Sequence, residues 1–335
     1  MLGEIGVMLH TGDMPMDEII RYAQAAESLG YEGFWLTEES GKEAFAVLGA
    51  LAYATRHIHL GTSILNFYSR TPTLLAMGAS TVYRMSGGRF VHFGIGSGGI
   101  GFTERGHGLK IERPLARAQE TVDIIRGLLS NQRFSYDGQW FHVRDFRLRE
   151  GPLDRPLPIY LSALGPNMVG LAARIADGLI TNCLTEEAYT EYAAIIVREA
   201  QSVGRDPKTV KFLTLAMMAG EDDASVDAIR RGLAFYLASP HYHPIARLSG
   251  YGQQARQIQA VWETGDFNAA SRLVTDSMVE KFTIMGSPEM RRRRLRSMME
   301  AGVYPIIYPI PRRGRTIEDH FLIIQLAAQY LISST

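Results

Sequence analysis

Residues 56–98 read RHIHLGTSILNFYSRTPTLLAMGASTVYRMSGGRFVHFGIGSG, and this stretch decides the fold. An apolar run at residues 58–65 is followed by a polar loop at residues 66–71. Pro72 then suits the first turn of a helix, because its missing N–H would have no partner there. A Ser-Gly-Gly sequence ends that helix, and a second apolar run, residues 90–95, leads into further glycines. The pattern predicts a βαβ unit with a loop at the carboxyl end of each strand, where parallel α/β folds bind ligands.

The composition limits the fold and the partners. At 335 residues the chain suits one α/β barrel with an insertion, so residues 1–335 are predicted to form a single domain. Lys plus Arg and Asp plus Glu both number 35, which leaves no global field to attract nucleic acid or a membrane. The single cysteine, Cys183, excludes an internal disulfide framework and suits a reducing compartment. No run of 18 apolar residues occurs, so we expect a soluble cytoplasmic protein. Its expected partner is a small-molecule substrate.

Short apolar runs alternate with segments of helical period along the whole chain. Eight such runs, each separated by a helical pattern, are what a (β/α)8 TIM barrel of the α/β class requires. The predicted strands are residues 5–9, 33–37, 58–65, 90–95, 157–162, 178–181, 210–216 and 304–308.

Two stretches interrupt this alternation. Residues 134–146 contain Asp137-Gly138 between aromatic runs, which predicts a hairpin inserted before the fifth strand. Residues 239–282 are too long for one barrel connection and are predicted to form several short helices between strands seven and eight. That connection follows the carboxyl end of a strand, so it is expected to form much of the wall of a substrate site.

Other charged and histidine-rich stretches predict ordinary structure. The pair His57-x-His59 has no carboxylate or cysteine near it in the sequence, and the pair His241-x-His243 has prolines around it. No metal site is therefore predicted at either pair. The four arginines at residues 291–294 are spread around a predicted helix and are expected to face solvent.

Three stretches, the first of them within residues 56–98, can be compared with known families. They read GTSILN at residues 61–66, LSALGPNM at residues 161–168 and FTIMGSPE at residues 282–289. Together with residues 56–98, they closely resemble the luciferase-like oxidoreductases, and within them the branch that uses the deazaflavin coenzyme F420, especially the methylenetetrahydromethanopterin reductases. The resemblance implies a TIM barrel that binds F420 and transfers hydride between its C5 atom and an organic substrate, in a homodimer or higher homo-oligomer. Two alternatives remain: an FMN-dependent monooxygenase of the same superfamily, and a non-catalytic flavin-binding barrel.

The resemblance also assigns coenzyme-binding residues. It implies a non-prolyl cis peptide at Ser63–Ile64, in a bulge that backs the coenzyme ring, and a phosphate site at the turn that opens the helix after the fifth strand. Such a turn presents free N–H groups and a positive dipole end, although it would look the same in an ordinary βα connection. The glycine loop after the fourth strand allows close backbone approach, or is merely flexible. The implied coenzyme-binding residues are Glu38, Ser63, Ile64, Asn66, Gly96, Ser97, Gly98, Ser162, Ala163, Gly165, Pro166, Asn167 and Met168.

The candidate catalytic residues are Glu38, Glu39 and His10. Glu38 occupies the family's acid position after the second strand, and Glu39 replaces a histidine, either as a functional carboxylate or as a solvated charge. Two adjacent carboxylates near a bound anion are expected to raise each other's pKa, which would suit a proton donor near neutrality. The pterin reductases carry further acids where this chain has Met8 and Gly99. His10, at the end of the first strand, is either their acid–base substitute or a structural histidine.

A basic loop follows the eighth strand. Arg312, Arg313 and Arg315 are candidates for binding an acidic substrate or the charged tail of the coenzyme, or else form a solvated loop.

Overall fold

The computed structural model describes residues 4–314 and 316–332. The strands are β1 (Gly6–Leu9), β2 (Gly33–Leu36), β3 (His59–Asn66), β4 (Phe90–Gly96), β5 (Phe134–Asp137), β6 (His142–Phe146), β7 (Ile159–Ser162), β8 (Gly178–Asn182), β9 (Lys211–Met218) and β10 (Val303–Pro309). The helices are α1 (Met16–Ser28), α2 (Ala44–Ala54), α3 (Pro72–Met85), α4 (Pro114–Ser130), α5 (Pro166–Ile175), α6 (Glu186–Ser202), α7 (Asp223–Leu237), α8 (His243–Leu248), α9 (Gly252–Glu263), α10 (Phe267–Arg272), α11 (Asp276–Phe282), α12 (Pro288–Glu300) and α13 (Thr316–Ile332). Within the described residues, no helix has the length and apolar character needed to cross a lipid bilayer.

Eight parallel strands close into a barrel in the order β1-β10-β9-β8-β7-β4-β3-β2. These are the eight predicted strands, with ends that differ from the prediction by at most two residues. The predicted (β/α)8 TIM barrel is therefore confirmed. Because all its strands are parallel, their carboxyl ends lie on one face of the barrel, where the candidate residues are gathered.

Side chains on alternate strand residues form two separate cores. On β2, Phe34 and Leu36 belong to the core between strands and helices, whereas Trp35 packs inside the barrel. This alternation follows from the two-residue period of a strand. The inner cluster consists of Met8, Trp35, Tyr160, Ile180, Leu213, Tyr304 and Ile306, with Ile64, Leu215 and Tyr308 packed against it.

Both predicted interruptions are confirmed. Strands β5 and β6 form an antiparallel hairpin in which Phe134 pairs with Phe146. The buried Glu120 carboxylate on α4 accepts hydrogen bonds from the backbone N–H groups of Gln139, Trp140 and Phe141, which anchors the hairpin turn to the barrel. The long connection between β9 and β10 folds into the short helices α8 to α11.

The predicted exposure of Arg291 is wrong. Its side chain is 1% exposed, and its guanidinium donates to the carbonyls of Gly286 at 3.0 Å, Ala219 at 2.7 Å and Gly220 at 3.0 Å. Helix α12 packs on β10 and α13, so Arg291 is turned inward and Arg292 and Arg294 are half-buried, whereas Arg293 is exposed. The buried guanidinium supplies hydrogen-bond donors to these three carbonyls, which lie outside helices and strands and have no partner from regular secondary structure.

Candidate functional site

A bulge near the end of β3 carries the predicted cis peptide. The Ser63–Ile64 bond is cis, which confirms the prediction. The pairing of β3 with β4 shifts register between Thr62 and Leu65, and the carbonyl of Ile64 accepts a 3.4 Å hydrogen bond from the N–H of Glu38. Ser63 is buried, whereas Ile64 is half-buried and packs against the inner cluster.

Three predicted coenzyme-binding residues converge at Gly96. A Cβ atom placed on Gly96 would lie 2.8 Å from Cβ of Ser162 and 3.1 Å from Cγ1 of Ile64. Only glycine fits at this position, because real Cβ atoms do not approach so closely. The ends of β3, β4 and β7, which are neighbours in the barrel, therefore meet in one small area beside the bulge.

Asn66 fixes the glycine loop that follows β4. Its Nδ2 atom donates to the carbonyl of Ser97 at 3.0 Å and to Oγ1 of Thr103 at 2.6 Å, and Thr103 also donates to Ser97. Its Oδ1 atom accepts from the N–H groups two and three residues further on, at 2.6 and 3.0 Å. Gly98, with φ of 66°, packs against this amide. The Asn66 side chain is thus occupied in holding the loop, through Thr103, a residue that no sequence signal indicated.

The amino terminus of α5 is open. The N-cap residue is Gly165, which has no side chain to cap the helix. A Cβ atom placed on Gly165 would meet no atom within 4 Å. Pro166 and Asn167 are exposed, and Met168 is half-buried. Ala163 is buried and donates its N–H to the carbonyl of Ile180 in β8, which attaches the turn to the barrel. An uncapped helix start offers N–H groups and partial positive charge to an anion.

Glu38 forms an ion-pair network with Arg70, a residue that sequence reasoning missed. The Glu38 side chain is 7% exposed and accepts hydrogen bonds from Arg70, one of them 3.2 Å from Nε, and from the N–H of Ala44 at 3.4 Å. Arg70 also contacts Glu43, which caps α2. Burial would lower the pKa of Arg70, but the two carboxylates outweigh it and raise the pKa above its ordinary value. The only sequence signal for Arg70 is its place in the polar loop after β3.

His10 and Glu39 form a second pair, separate from the first. Nδ1 of His10 lies 2.9 Å from Oε1 of Glu39, and its buried Nε2 atom has no hydrogen-bond partner within the described part of the chain. Burial acts to raise the pKa of Glu39, but the hydrogen bond and charge of His10 outweigh it, so the pKa lies below its ordinary value. The mutual rise in pKa predicted for Glu38 and Glu39 beside a bound anion is not what Glu39 shows, because Glu39 pairs with His10 whereas Glu38 pairs with Arg70.

Aromatic side chains surround His10. Its ring centroid lies 4.9 Å from that of Tyr308, at the carboxyl end of β10, and Tyr236 donates to the Tyr308 hydroxyl at 3.0 Å. Tyr242, in the connection after α7, contacts Tyr236 and accepts from Asn182 at the end of β8. Burial raises the pKa of Tyr308 and Tyr236, so both phenols stay protonated. The residues of this wall come from the ends of β1, β8 and β10 and from α7 and the connection after it, and the sequence singled out only His10 among them.

The basic loop is partly used within the fold. Arg312 donates to both carboxylate oxygens of Asp319 on α13, at 2.6 to 3.2 Å, and also contacts Asp222 after β9. Arg313 is exposed, and Arg315 lies outside the described residues. The guanidinium of Arg312 is thus committed to two carboxylates.

The two positions where family acids are replaced differ in surroundings. Met8 is fully buried in the inner cluster, whereas Gly99 is exposed and would accept a Cβ without contact. Neither can exchange a proton, and His10 is the titratable group that follows β1.

Comparison with known proteins identifies the family. The family model described as luciferase-like monooxygenase matches residues 1–304. Two 5,10-methylenetetrahydromethanopterin reductases are similar: that of Archaeoglobus fulgidus is 31% identical and that of Methanolobus tindarius 29%, each over 89% of this chain and 91% of the relative. The structure of the coenzyme F420-dependent tetrahydromethanopterin reductase from Methanopyrus kandleri superposes with a TM-score of 0.83 at 24% identity, covering 98% of both chains, and shows the same fold. The chain therefore belongs to the luciferase-like monooxygenase family and is an oxidoreductase.

Proposed function

We propose that the protein is an F420-dependent oxidoreductase that transfers hydride between the deazaflavin C5 atom and an organic substrate. The observation that carries this proposal is the convergence of Ile64, Gly96 and Ser162 beside the cis peptide, close to the open start of α5. The curated relatives named 5,10-methylenetetrahydromethanopterin reductase, similar over about nine-tenths of the chain, support the same assignment. The homo-oligomer expected from the sequence stays a prediction.

The residues around the bulge fit a ring-and-phosphate coenzyme. Ile64 is half-buried at the end of a strand and offers an apolar surface, while the adjacent Gly96 keeps the backbone accessible. Ser97 and Gly98 continue this surface along the loop that Asn66 holds. The open α5 start, from Gly165 to Met168, suits a phosphate group, because the helix dipole and the N–H of Asn167 favour negative charge, while the N–H of Met168 donates to Gly165.

F420, when bound, supplies or accepts the hydride, and the protein must orient the substrate and move a proton. We assign the proton to Nε2 of His10, because this buried atom follows β1 at the carboxyl end of the barrel and has no hydrogen-bond partner among the described residues. Glu39, bonded to Nδ1, fixes the orientation of the ring and favours the imidazolium that forms when His10 takes up a proton. The protonated phenols of Tyr308 and Tyr236 line the same space and exclude water.

Replacing Glu38 with glutamine is expected to weaken F420 binding by about ten- to a hundredfold. The change keeps the side-chain shape but removes the charge that holds Arg70 beside the bulge, and a hydrogen bond to a charged group is worth about 1.5–3 kcal/mol. Calorimetric titration of F420 would measure the loss, with circular dichroism to confirm the fold.

Glu43 supplies the matched control for Glu38. It contacts the same arginine but its side chain is 47% exposed, so Glu43→Gln should change the F420 affinity by less than about threefold. Equal affinities for wild type and Glu38→Gln would show that Glu38 is a structural loop charge.

The alternative cofactor is tested by titrating the same preparation with F420 and with FMN. We expect a dissociation constant for F420 at least about tenfold lower than that for FMN, a difference of about 1.4 kcal/mol. Micromolar FMN binding with no heat from F420 would instead establish the FMN-dependent monooxygenase. If F420 binds but its reduced form is never oxidised by any acceptor in a broad screen, the non-catalytic barrel is correct.

A further inference from the structure

Three side chains with metal-binding atoms meet at the amino-terminal end of the barrel, opposite the candidate active site. Glu32 directly precedes β2, His59 begins β3, and His92 lies near the start of β4. The strands are neighbours, with Gly33 paired to His59 and Gly61 paired to His92. The sequence predicted no metal site at His59 because no carboxylate is nearby in the chain, yet β-sheet pairing brings Glu32 against it.

The distances between these atoms suit a metal ion. Nδ1 of His59 lies 2.5 Å from Oε1 of Glu32, Nε2 of His92 lies 3.5 Å from Oε2 of Glu32, and one ligand atom from each residue lies within 4.8 Å of the others. Bonds of about 2.0–2.1 Å in a tetrahedral zinc site place ligand atoms roughly 3.3–3.4 Å apart. His92 and Glu32 are near that separation, His59 needs to retreat from Glu32 by about 1 Å, and the most widely separated ligand atoms, up to 4.8 Å apart, need to approach each other when the ion binds.

The His92 side chain is buried, yet hydrogen bonds within the cluster do not satisfy its ring nitrogens. Its side chain is 5% exposed, and in residues 4–314 and 316–332 neither of its ring nitrogens has a hydrogen-bond partner. A buried polar atom without a partner destabilises the folded state, so such atoms normally have one. The contact between His59 and Glu32 gives those two side chains a partner but not His92, whose Nε2 atom lies 3.5 Å from the Glu32 carboxylate.

Neighbouring residues hold the three side chains in place. The His92 ring stacks on Trp35 with centroids 4.4 Å apart, and Tyr304 donates its hydroxyl to Glu32. A hydrogen bond to a ligating carboxylate is the kind of outer contact that orients ligands in metal sites. Gly33 allows this packing, because a Cβ there would lie 3.0 Å from Nε1 of Trp35 and from the hydroxyl of Tyr304, and 3.4 Å from Nε2 of His92.

We propose that Glu32, His59 and His92 form a binding site for a divalent transition-metal ion of the zinc class. Two imidazoles and one carboxylate are a donor set that such ions accept, and the remaining position is open to water. The His59 side chain is 41% exposed, which gives the ion a path from solvent. The ion would tie β2, β3 and β4 together at the end opposite the coenzyme, and the proposal is independent of the cofactor that the protein uses.

Zinc titration of chelator-treated protein tests the site. We expect one Zn²⁺ ion per chain by calorimetry, a higher unfolding temperature with Zn²⁺ than with chelator, and a visible absorption band when Co²⁺ replaces Zn²⁺. His59→Asn should weaken Zn²⁺ binding at least a hundredfold and abolish the thermal shift. It should also fold, because residue 59 is half-exposed. Glu32→Gln should weaken binding similarly.

Two histidine variants serve as controls. His57→Asn lies two residues from the cluster on an exposed position, and His241→Asn removes the exposed histidine of the pair His241 and His243, so both should bind Zn²⁺ as wild type does. Absence of binding by the wild type, or binding that His59→Asn leaves unchanged, would overturn the proposal. If only His241→Asn removed binding, the ion would lie at His241 and His243, and this result would also overturn the proposal.

Discussion

Replacing His10 with glutamine is expected to lower the turnover number by about a hundred- to ten-thousandfold while leaving F420 affinity within about threefold of wild type. General acid–base catalysis contributes about 10²–10⁴ in rate, and glutamine can donate a hydrogen bond but cannot exchange a proton. The substitution keeps a side chain beside Tyr308, so the wall of the site should persist. Steady-state oxidation of reduced F420 with an acceptor that the wild type reduces would measure the turnover, and calorimetry the affinity.

Glu39→Gln separates the orienting role from the proton transfer itself. It should cost less than His10→Gln, about ten- to a hundredfold in turnover, because the imidazole stays and loses only its partner.

The contribution of the His10–Glu39 pair to stability is expected to depend on pH. The pKa of Glu39 is lowered in the folded protein, so the stability that the pair contributes is complete above the ordinary glutamate pKa of about 4.3 and is lost as pH falls through the lower folded value. The stability difference between wild type and Glu39→Gln should therefore vanish in acid.

An unchanged turnover number in His10→Gln would remove His10 from the chemistry. A parallel loss of F420 affinity and turnover would instead show that His10 supports the shape of the site. The protonated Tyr308 hydroxyl would then be the next proton donor to examine, since it lies in the same aromatic wall.

Replacing Arg291 with methionine is expected to cost about 3–5 kcal/mol in the free energy of unfolding. Methionine fills most of the side-chain volume but leaves the carbonyls of Ala219, Gly220 and Gly286 without their donor. Each such carbonyl costs about 1–3 kcal/mol when buried and unpaired. Urea denaturation followed by circular dichroism and fluorescence would measure the change.

Arg293 provides the matched control for this stability prediction. It lies on the same helix but is exposed, so Arg293→Met should change the unfolding free energy by less than about 0.5 kcal/mol. If the two variants have equal stability, then the three carbonyls must find other partners, and Arg291 has no special role in joining α12 to the β9–α7 connection.

The local pattern of the sequence determined the barrel. Apolar runs such as residues 90–95, bounded by glycine, predict a strand wherever they occur, because a strand buried on both faces needs side chains of this kind. The hairpin at Asp137-Gly138 and the short helices after α7 follow from equally local signals. The carboxyl ends of the strands, and hence the gathering of Glu38, Gly96 and Ser162 on one face, follow from parallel order alone.

Only the tertiary structure decided which charged and polar groups are partners. His10 and Glu39 follow different strands, Glu38 and Arg70 are 32 residues apart, and Glu32 and His59 are 27 apart. The sequence shows which residues are ionisable, but no pattern in it predicts which of them come into contact in the closed barrel. Arg291 illustrates the same limit, since four consecutive arginines look alike until the packing of α12 turns one inward against unpaired carbonyls. Strand period is a property of neighbours along the chain, whereas a side chain's pKa, burial and partners depend on residues that the closed barrel brings together.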